Sequence, residues 1–445
     1  MDLDHGAVGT YEPETPPDWA LEGTNLANER LGTTVLFATD EWFARAESLL
    51  NPLPATFDPD AYSPQGKTLD GWESRRRRLP GHDWCIIKLG IPGRIRGLEV
   101  DTAFFTGNQV PRLSVEAAAL PPDQADGEAW GLPGAKERNA QGGGVQGTAA
   151  APEEIEQAAK ACAQWDWKPL LEEAPLRPGY KDRCVHFFPP AGGAPERVTH
   201  LRVSYFPDGG VARLRVWGDV ARDFATDLAP KGSIDLASVS NGGRGLGCSN
   251  KHYGVPRNLL QSGRGVNMGD GWETGRHPDR PRVIELDPAT GLTKSNASDW
   301  ALIQLGAVCG GVEELVVDTN HFKGNFPESC KVDGCLAPTL STSALLAWAA
   351  ADQQGPPGPR PEGREQVEWF PVLARTRLKP NSEHVFKLGS GGGAGGFLSE
   401  ASSGRPLTHA RLTIFPDGGV MRLRVIGKAI APLGADAAVL PPARM

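Results

Sequence analysis

The chain repeats itself. "LRVSYFPDGGVARLRVWG" at 201–218 returns as "ARLTIFPDGGVMRLRVIG" at 410–427. "EVDTAFFTGN" at 99–108 returns as "VVDTNHFKGN" at 316–325, and "HDWCIIKLG" at 82–90 as "SDWALIQLG" at 298–306. "LFATDEWF" at 36–43 pairs with "LGCSNKHY" at 246–253, and "DGWESRRRR" at 70–78 echoes "DGWETGRHP" at 270–278. The blocks never change order. That pattern is two copies of one domain of roughly 200 residues, not a solenoid of short units. The copies span residues 24–220 and 236–430, joined by "ARDFATDLAPKGSID" at 221–235.

The repeated blocks are strands. Apolar and polar residues alternate on either side of Pro-Asp-Gly-Gly, where Pro presets a turn and Gly supplies positive φ. Leu214 and Val216 face one way and Arg213 and Arg215 the other; Leu423 and Val425 oppose Arg422 and Arg424. "WCIIKLG" and "WALIQLG" are short apolar runs bounded by Gly, suited to buried strands. With 55 Gly and 39 Pro in 445 residues, the composition favours many short strands and turns. The expected fold is all-β, a duplicated sandwich or jelly roll. Helix is minor, best placed at "EEIEQAAKACAQW", 153–165. Residues 120–152 are rich in Pro, Gly and Ala and are expected to form a flexible insertion too poor in apolar residues to pack, like 351–366 and 389–396 in the second copy.

A net charge of −8 argues against nucleic acid as a partner. The sequence holds no apolar run of about 18 residues, and its acidic first residues lack the pattern of a signal or transit peptide. The expectation is a soluble chain that makes no membrane contact. Ala443-Arg444-Met445 resembles a peroxisomal address of the Ser-Lys-Leu type, with the cytoplasm as the alternative. Seven scattered cysteines without a CxxC read as reduced thiols, with Cys162 the candidate for an exposed intersubunit disulfide.

"NKHYGVPRNLLQSGRGVNMGDGWETGRHPDRP", "DGWESRRRRLPGHDWCIIKLG", "DTAFFTGN" and "DTNHFKGNFPESC" resemble the allantoicase family. The resemblance spans about residues 24–430 and both copies. It implies two tandem galactose-binding-like β-jelly rolls, hydrolysis of allantoate to ureidoglycolate and urea, and a homo-oligomer, a trimer or hexamer. Two other classes compete: a non-catalytic tandem jelly-roll module that binds sugars or small ligands, and a hydrolase acting on ureidoglycolate.

Allantoate carries one carboxylate and two ureido groups on one carbon. A guanidinium fork suits the carboxylate, and Asn, Asp and Glu suit the ureido groups. C–N cleavage calls for a base and an acid. The second copy differs from the first in this direction. Asn320, His321 and Lys323 replace Ala103, Phe104 and Thr106; Lys251 and Arg257 replace Glu41 and Glu47; Asn258 replaces Ser48. The principal site is therefore expected on the second copy. Its catalytic candidates are Glu273, Asp270, His321 and Lys323. Its substrate-binding candidates are Arg257, Asn258, Arg264, Asn267, Trp272, Arg276, Asn320 and Asn325. Asp70, Trp72, Glu73 and Arg76 are the first-copy counterparts.

Each has a plainer reading. Asp70 and Asp270 cap turns, Trp72 and Trp272 anchor the core, and Glu273 pairs with Arg276. His321 is a core histidine at a strand end. Arg75–Arg78 form a solvated edge or a subunit salt-bridge surface, and His82 and Asp83 orient one another. No HxH, HExxH or Cys pair occurs, so no metal site and no cofactor is assigned, although convergence of His252, His321 and His409 on a divalent ion stays open.

Overall fold

The computed structural model describes residues 15–124, 127–134, 145–193, 195–351, 367–388 and 398–433. The tripeptide Ala443-Arg444-Met445, the segment 389–396 and all of 351–366 except its first residue lie outside these. The chain divides into two compact units, Met1–Ala221 and Arg222–Met445.

One long strand organises each unit. In the first, Asp83–Asp101 passes through both layers of a sandwich. Its early residues pair with Thr34–Ala38 on one side and Val198–Phe206 on the other. Its late residues pair with Arg213–Val220 and Val185–Phe188. Arg112–Ala118 and Lys168–Pro175 extend the first layer. The second unit repeats this plan around Asp299–Asp318. There the partners are Arg244–Cys248 and Leu407–Phe415, then Arg422–Ala431 and Glu383–Lys387. All these pairings are antiparallel. The chain is thus two tandem all-β jelly-roll sandwiches, as the duplication predicts.

Gly90 and Gly306 do not end their strands; both lie inside them. A Cβ on Gly90 would sit 2.1 Å from the Leu31 carbonyl oxygen, and one on Gly306 would sit 1.8 Å from that of Asn241. Each glycine lets a short 3₁₀ turn, Glu29–Leu31 or Val239–Asn241, lie directly on the long strand.

Leu214 and Val216 point into the first core with Leu98, Val100, Val203 and Tyr205. Leu423 and Val425 are buried likewise. Arg213 and Arg422 lie on the other face of their strands, yet both are buried because a loop covers them. The insertion 120–152 is not free of packing among its described residues. Leu120, Trp130 and Leu132 are buried with Phe37 and Trp84 under the helix Pro152–Ala163. Three buried apolar side chains suffice to fasten an otherwise Gly- and Pro-rich run. Cys162 lies in the same cluster, fully buried, and burial pushes its thiol up to about 12. An intersubunit disulfide through Cys162 is thereby ruled out for this conformation, and all seven cysteines are free thiols. A second helix, Thr342–Ala351, covers Trp300 and Leu302 in the second unit through Leu345 and Ala349. No helix among the described residues is long and apolar enough to cross a membrane.

Candidate active site

In each unit the Asp-Gly-Trp-Glu run forms a two-residue strand against the last Gly of the Pro-Asp-Gly-Gly turn and the Val that follows it. Trp272–Glu273 pairs with Gly419–Val420, and Trp72–Glu73 with Gly210–Val211. Successive residues of a strand point to opposite sides. The indole goes inward: Trp72 and Trp272 are fully buried, donating to the carbonyls of Asp40 (2.8 Å) and Asn250 (2.9 Å). Trp272 is therefore placed as a core anchor, the plainer of its two readings, with no exposed surface to offer a substrate in this conformation.

The glutamate turns the other way and meets an asparagine. Asn325 donates to Glu273 Oε1 at 2.5 Å, and Asn108 donates to Glu73 Oε1 at 2.6 Å. Glu273 takes Asn325 as its partner in place of Arg276, which is exposed, like Arg76. The asparagines close the Asp-Thr-x-x-Phe-x-Gly-Asn runs. Within each run Asp318 or Asp101 accepts from the backbone two residues on. Phe322 and Phe105 are buried. His321 and Phe104 adopt left-handed φ of 68° and 71°.

Around the second pair the structure gathers part of the expected set. His321 Nε2 lies 2.9 Å from the Gly265 carbonyl oxygen, and Asn320 donates to that same oxygen at 3.4 Å. The His321 backbone N–H donates to Asn381 (2.8 Å), a partner the sequence reading did not pick out. Arg264, more than half exposed, pairs with buried Asp318 at 3.3 Å. His321 is thus a half-buried loop residue and no core histidine. Lys251 and Lys323 are exposed.

Other candidates hold the loop. Asn267 caps the turn Met268–Asp270 by accepting from the Gly269 N–H (2.8 Å), and Asp270 accepts from the Val266 N–H (2.7 Å). Asn258 donates to the Gly271 carbonyl at 3.0 Å. Asp270 thereby takes the turn-capping role of its plainer reading, and the two asparagines hold the same loop. Arg257 is half-buried on the turn Pro256–Leu260.

The two copies part company at one loop. Residues 57–69 in the first correspond to 267–269 in the second, since Thr56 and Val266 each give their N–H to the aspartate that follows. The longer loop folds as a hairpin, Tyr62–Ser63 with Gly66–Lys67. Phe57 stacks on Phe104 at 5.5 Å, and Lys67 lies 5.0 Å from the rings of both Phe57 and Tyr62. Glu73 is only 8% exposed. Burial pushes its carboxyl up to about 7, although the Asn108 bond works the other way. Asp70 is partly buried, which raises its pKa, but Arg213 at 2.7 Å and the Thr56 bonds win and hold its carboxyl below the usual range. In the second copy Arg422 holds the place of Arg213 and donates to the Asp270 backbone carbonyl (2.7 Å).

The Arg75–Arg78 run is not a freely solvated edge. Arg75 pairs with Asp40 at 2.7 Å and lies over Trp42; Arg77 pairs with buried Asp83 at 2.8 Å. Asp83 is held by Thr39 and Arg77, while His82 packs on Phe206. Among the described residues no group of three His, Cys, Asp or Glu side chains could hold a metal ion. His409 is buried in its strand beside Thr408, whereas His252 is exposed against Tyr253, so the three histidines do not converge.

Comparison with known proteins settles the kinship. The family model "Allantoicase repeat" matches residues 24–221 and again 234–430. The chain belongs to the allantoicase family. It is 35% identical over 404 residues to a probable allantoicase of Pseudomonas fluorescens (strain SBW25), covering 91% of this chain and 96% of that one. A Pseudomonas syringae pv. syringae relative, also named a probable allantoicase, is 36% identical over the same share. The crystal structure of allantoicase from Saccharomyces cerevisiae is 30% identical, with a TM-score of 0.58, covering 91% of this chain and 93% of that one. Both allantoicase repeats carry the Glu–Asn pair, which the sequence reading, pairing Glu273 with Arg276, did not pick out although both residues return in both copies. Glu ends both Asp-Gly-Trp-Glu runs and Asn ends both Asp-Thr runs, while the residues between them vary.

Proposed function

We propose that this chain hydrolyses allantoate to ureidoglycolate and urea, acting in the degradation of purines, and that turnover takes place on the second copy. Membership of the allantoicase family over both repeats supports the reaction. The observation that carries the choice of copy is the setting of the Glu–Asn pair. The second copy presents Lys251, Arg264 and Lys323 to solvent on the loops beside Glu273–Asn325. The first presents Phe57, Tyr62 and Phe104 on its corresponding loops. An anionic substrate favours the cationic loops.

Glu273 has one oxygen fixed by Asn325, which leaves the other to take a proton from water or from a ureido N–H. His321 Nε2 faces a carbonyl oxygen, so in the neutral ring Nε2 carries the hydrogen and Nδ1 is the acceptor. Arg264 and Lys323 bind the carboxylate. One water enters, the C–N bond breaks, and the departing nitrogen leaves as urea after accepting a proton. The chain works as a homo-oligomer, a trimer or hexamer, which light scattering on the purified protein tests. The reaction is tested by incubating the protein with allantoate and measuring urea and ureidoglycolate in equal amounts. A protein that releases no urea across ordinary pH overturns the reading.

A further inference from the structure

A cavity of about 440 Å³ opens in the second unit beside the Glu273 loop, within the range of about 300–1,000 Å³ usual for small-molecule sites. Its lining includes Asp235, Ser240, Asn241, Ser262, Arg264 and Glu383. Arg264 opens the Gly-rich run that leads to Glu273. Asp318, in the cavity wall, opens the run that ends at Asn325. One wall of the cavity is therefore shared with the two runs that carry the Glu–Asn pair.

The lining arginines are not equal. Arg422 is buried and donates to the carbonyls of Gly263, Asn258, Asp270 and Met421. Arg424 donates to the carbonyls of Gln261 and Gly263 and lies 3.4 Å from Asp235. Both are structural. Arg264 is different: it is more than half exposed, and its two contacts to Asp318 are each 3.3 Å, long for a charge-assisted pair. It is the cation best able to turn to an incoming anion. The remaining lining is rich in acceptors. Glu383 brings a carboxylate and Ser240 and Ser262 hydroxyls, whereas the Asp235 carboxylate is already engaged, its Oδ1 accepting from the Ala237 and Val425 N–H groups (3.1 and 3.0 Å), and one N–H of the Asn241 amide goes to the Asp235 carbonyl (2.8 Å).

The first copy does not carry this chemistry. Arg30, Leu31, Pro54 and Val185 occupy the places of Ser240, Asn241, Arg264 and Glu383. Glu99 stands where the second copy has Val316, and it draws Arg215 to 3.3 Å. The polar cavity is thus written into the second copy by substitution.

We propose that this cavity binds a small carboxylic acid bearing a ureido group, with Arg264 receiving the carboxylate and Glu383 and the serine hydroxyls receiving the ureido N–H donors. This rests on reading the chain as acting on a ureido carboxylate, and it names where on the second copy that class of molecule sits. A plain carboxylate lacks the donors and would leave Glu383 facing an anion, so the site discriminates against it.

The test uses ureidoacetate, a ureido acid that lacks the doubly substituted carbon of allantoate, with acetate for comparison. Calorimetric titration of the full chain is expected to show ureidoacetate binding and acetate at least tenfold weaker. Glu383→Val, which installs the first copy's residue at a surface position, is expected to weaken ureidoacetate by about tenfold, the loss of one hydrogen bond to a charged acceptor. Ser240→Arg, also the first copy's residue, is expected to abolish binding. Should Ser240→Arg fail to fold in a melting scan, Glu383→Val decides alone. Unchanged affinity in a folded variant, equal binding of acetate, or no ureidoacetate binding at all overturns the proposal. Urea release from allantoate, measured in parallel, separates the two readings. Ureidoacetate binding that the variants weaken, in a protein that releases no urea, upholds the cavity and removes the reaction. Urea release with unchanged KM in Ser240→Arg removes the cavity and leaves the reaction.

Discussion

Glu73 and Glu273 hold the same place in two copies and meet different surroundings. Each gives one oxygen to an asparagine. Glu73 is buried, and its carboxyl is pushed up to about 7 from an ordinary 4.5. Between those values the folded chain holds a proton that the unfolded chain has lost. Stability from this group is therefore full below about pH 4.5 and falls as pH rises through 7. The loss amounts to about 3 kcal/mol once both states are ionised. Glu73→Gln removes the titration and keeps an acceptor for Asn108. Denaturant unfolding at pH 5 and pH 8 is expected to show wild type losing stability relative to Glu73→Gln by about that amount. Parallel pH dependences in the two proteins would show that Glu73 titrates normally.

At the scale of the element, the long strands show what a sequence discloses and what it hides. Alternation around Pro-Asp-Gly-Gly placed Leu214, Val216, Leu423 and Val425 in the core correctly, because period two is a direct consequence of the pleat. Gly90 and Gly306 misled, because a glycine that ends a strand and one that lets backbone cross overhead look alike in a single chain. The Glu–Asn pair was half legible: both residues return in both copies, but their partnership is a long-range contact. The cavity was hidden altogether, since Asp235, Ser240 and Glu383 come from distant segments with no shared motif. The glycine reading has a clear check. Gly306→Ala forces a Cβ against the Asn241 carbonyl and is expected to cost about 3 kcal/mol or more in unfolding free energy. Gly324→Ala, with nothing within 4 Å of the added carbon, is expected to cost under about 1 kcal/mol. Equal melting temperatures for the two variants would remove the close-approach argument.

On the scale of the whole molecule, duplication gave two equivalent frames and substitution made them unequal. The chain carries a net charge of −8, so an anion is not drawn to it by overall charge. Attraction must be local, and on the proposed reading Lys251, Arg264 and Lys323, all exposed, supply it on the second copy. The first copy instead spends its longer loop on Phe57, Tyr62 and Lys67, and its Glu73 is buried. If Glu273 is the proton acceptor, Glu273→Gln keeps the shape and its bond to Asn325 and removes the base. It is expected to lower kcat by about two to four decades with little change in KM. Glu73→Gln is expected to lower kcat by about tenfold at most, since Glu73 then serves only the packing of its own copy. Measuring kcat and KM for both variants at pH 8, with melting scans to confirm folding, sets the copies against each other directly. A larger loss in Glu73→Gln would move the chemistry to the first copy, where the raised carboxyl pKa would make Glu73 the acid and the hairpin 57–69 its cover.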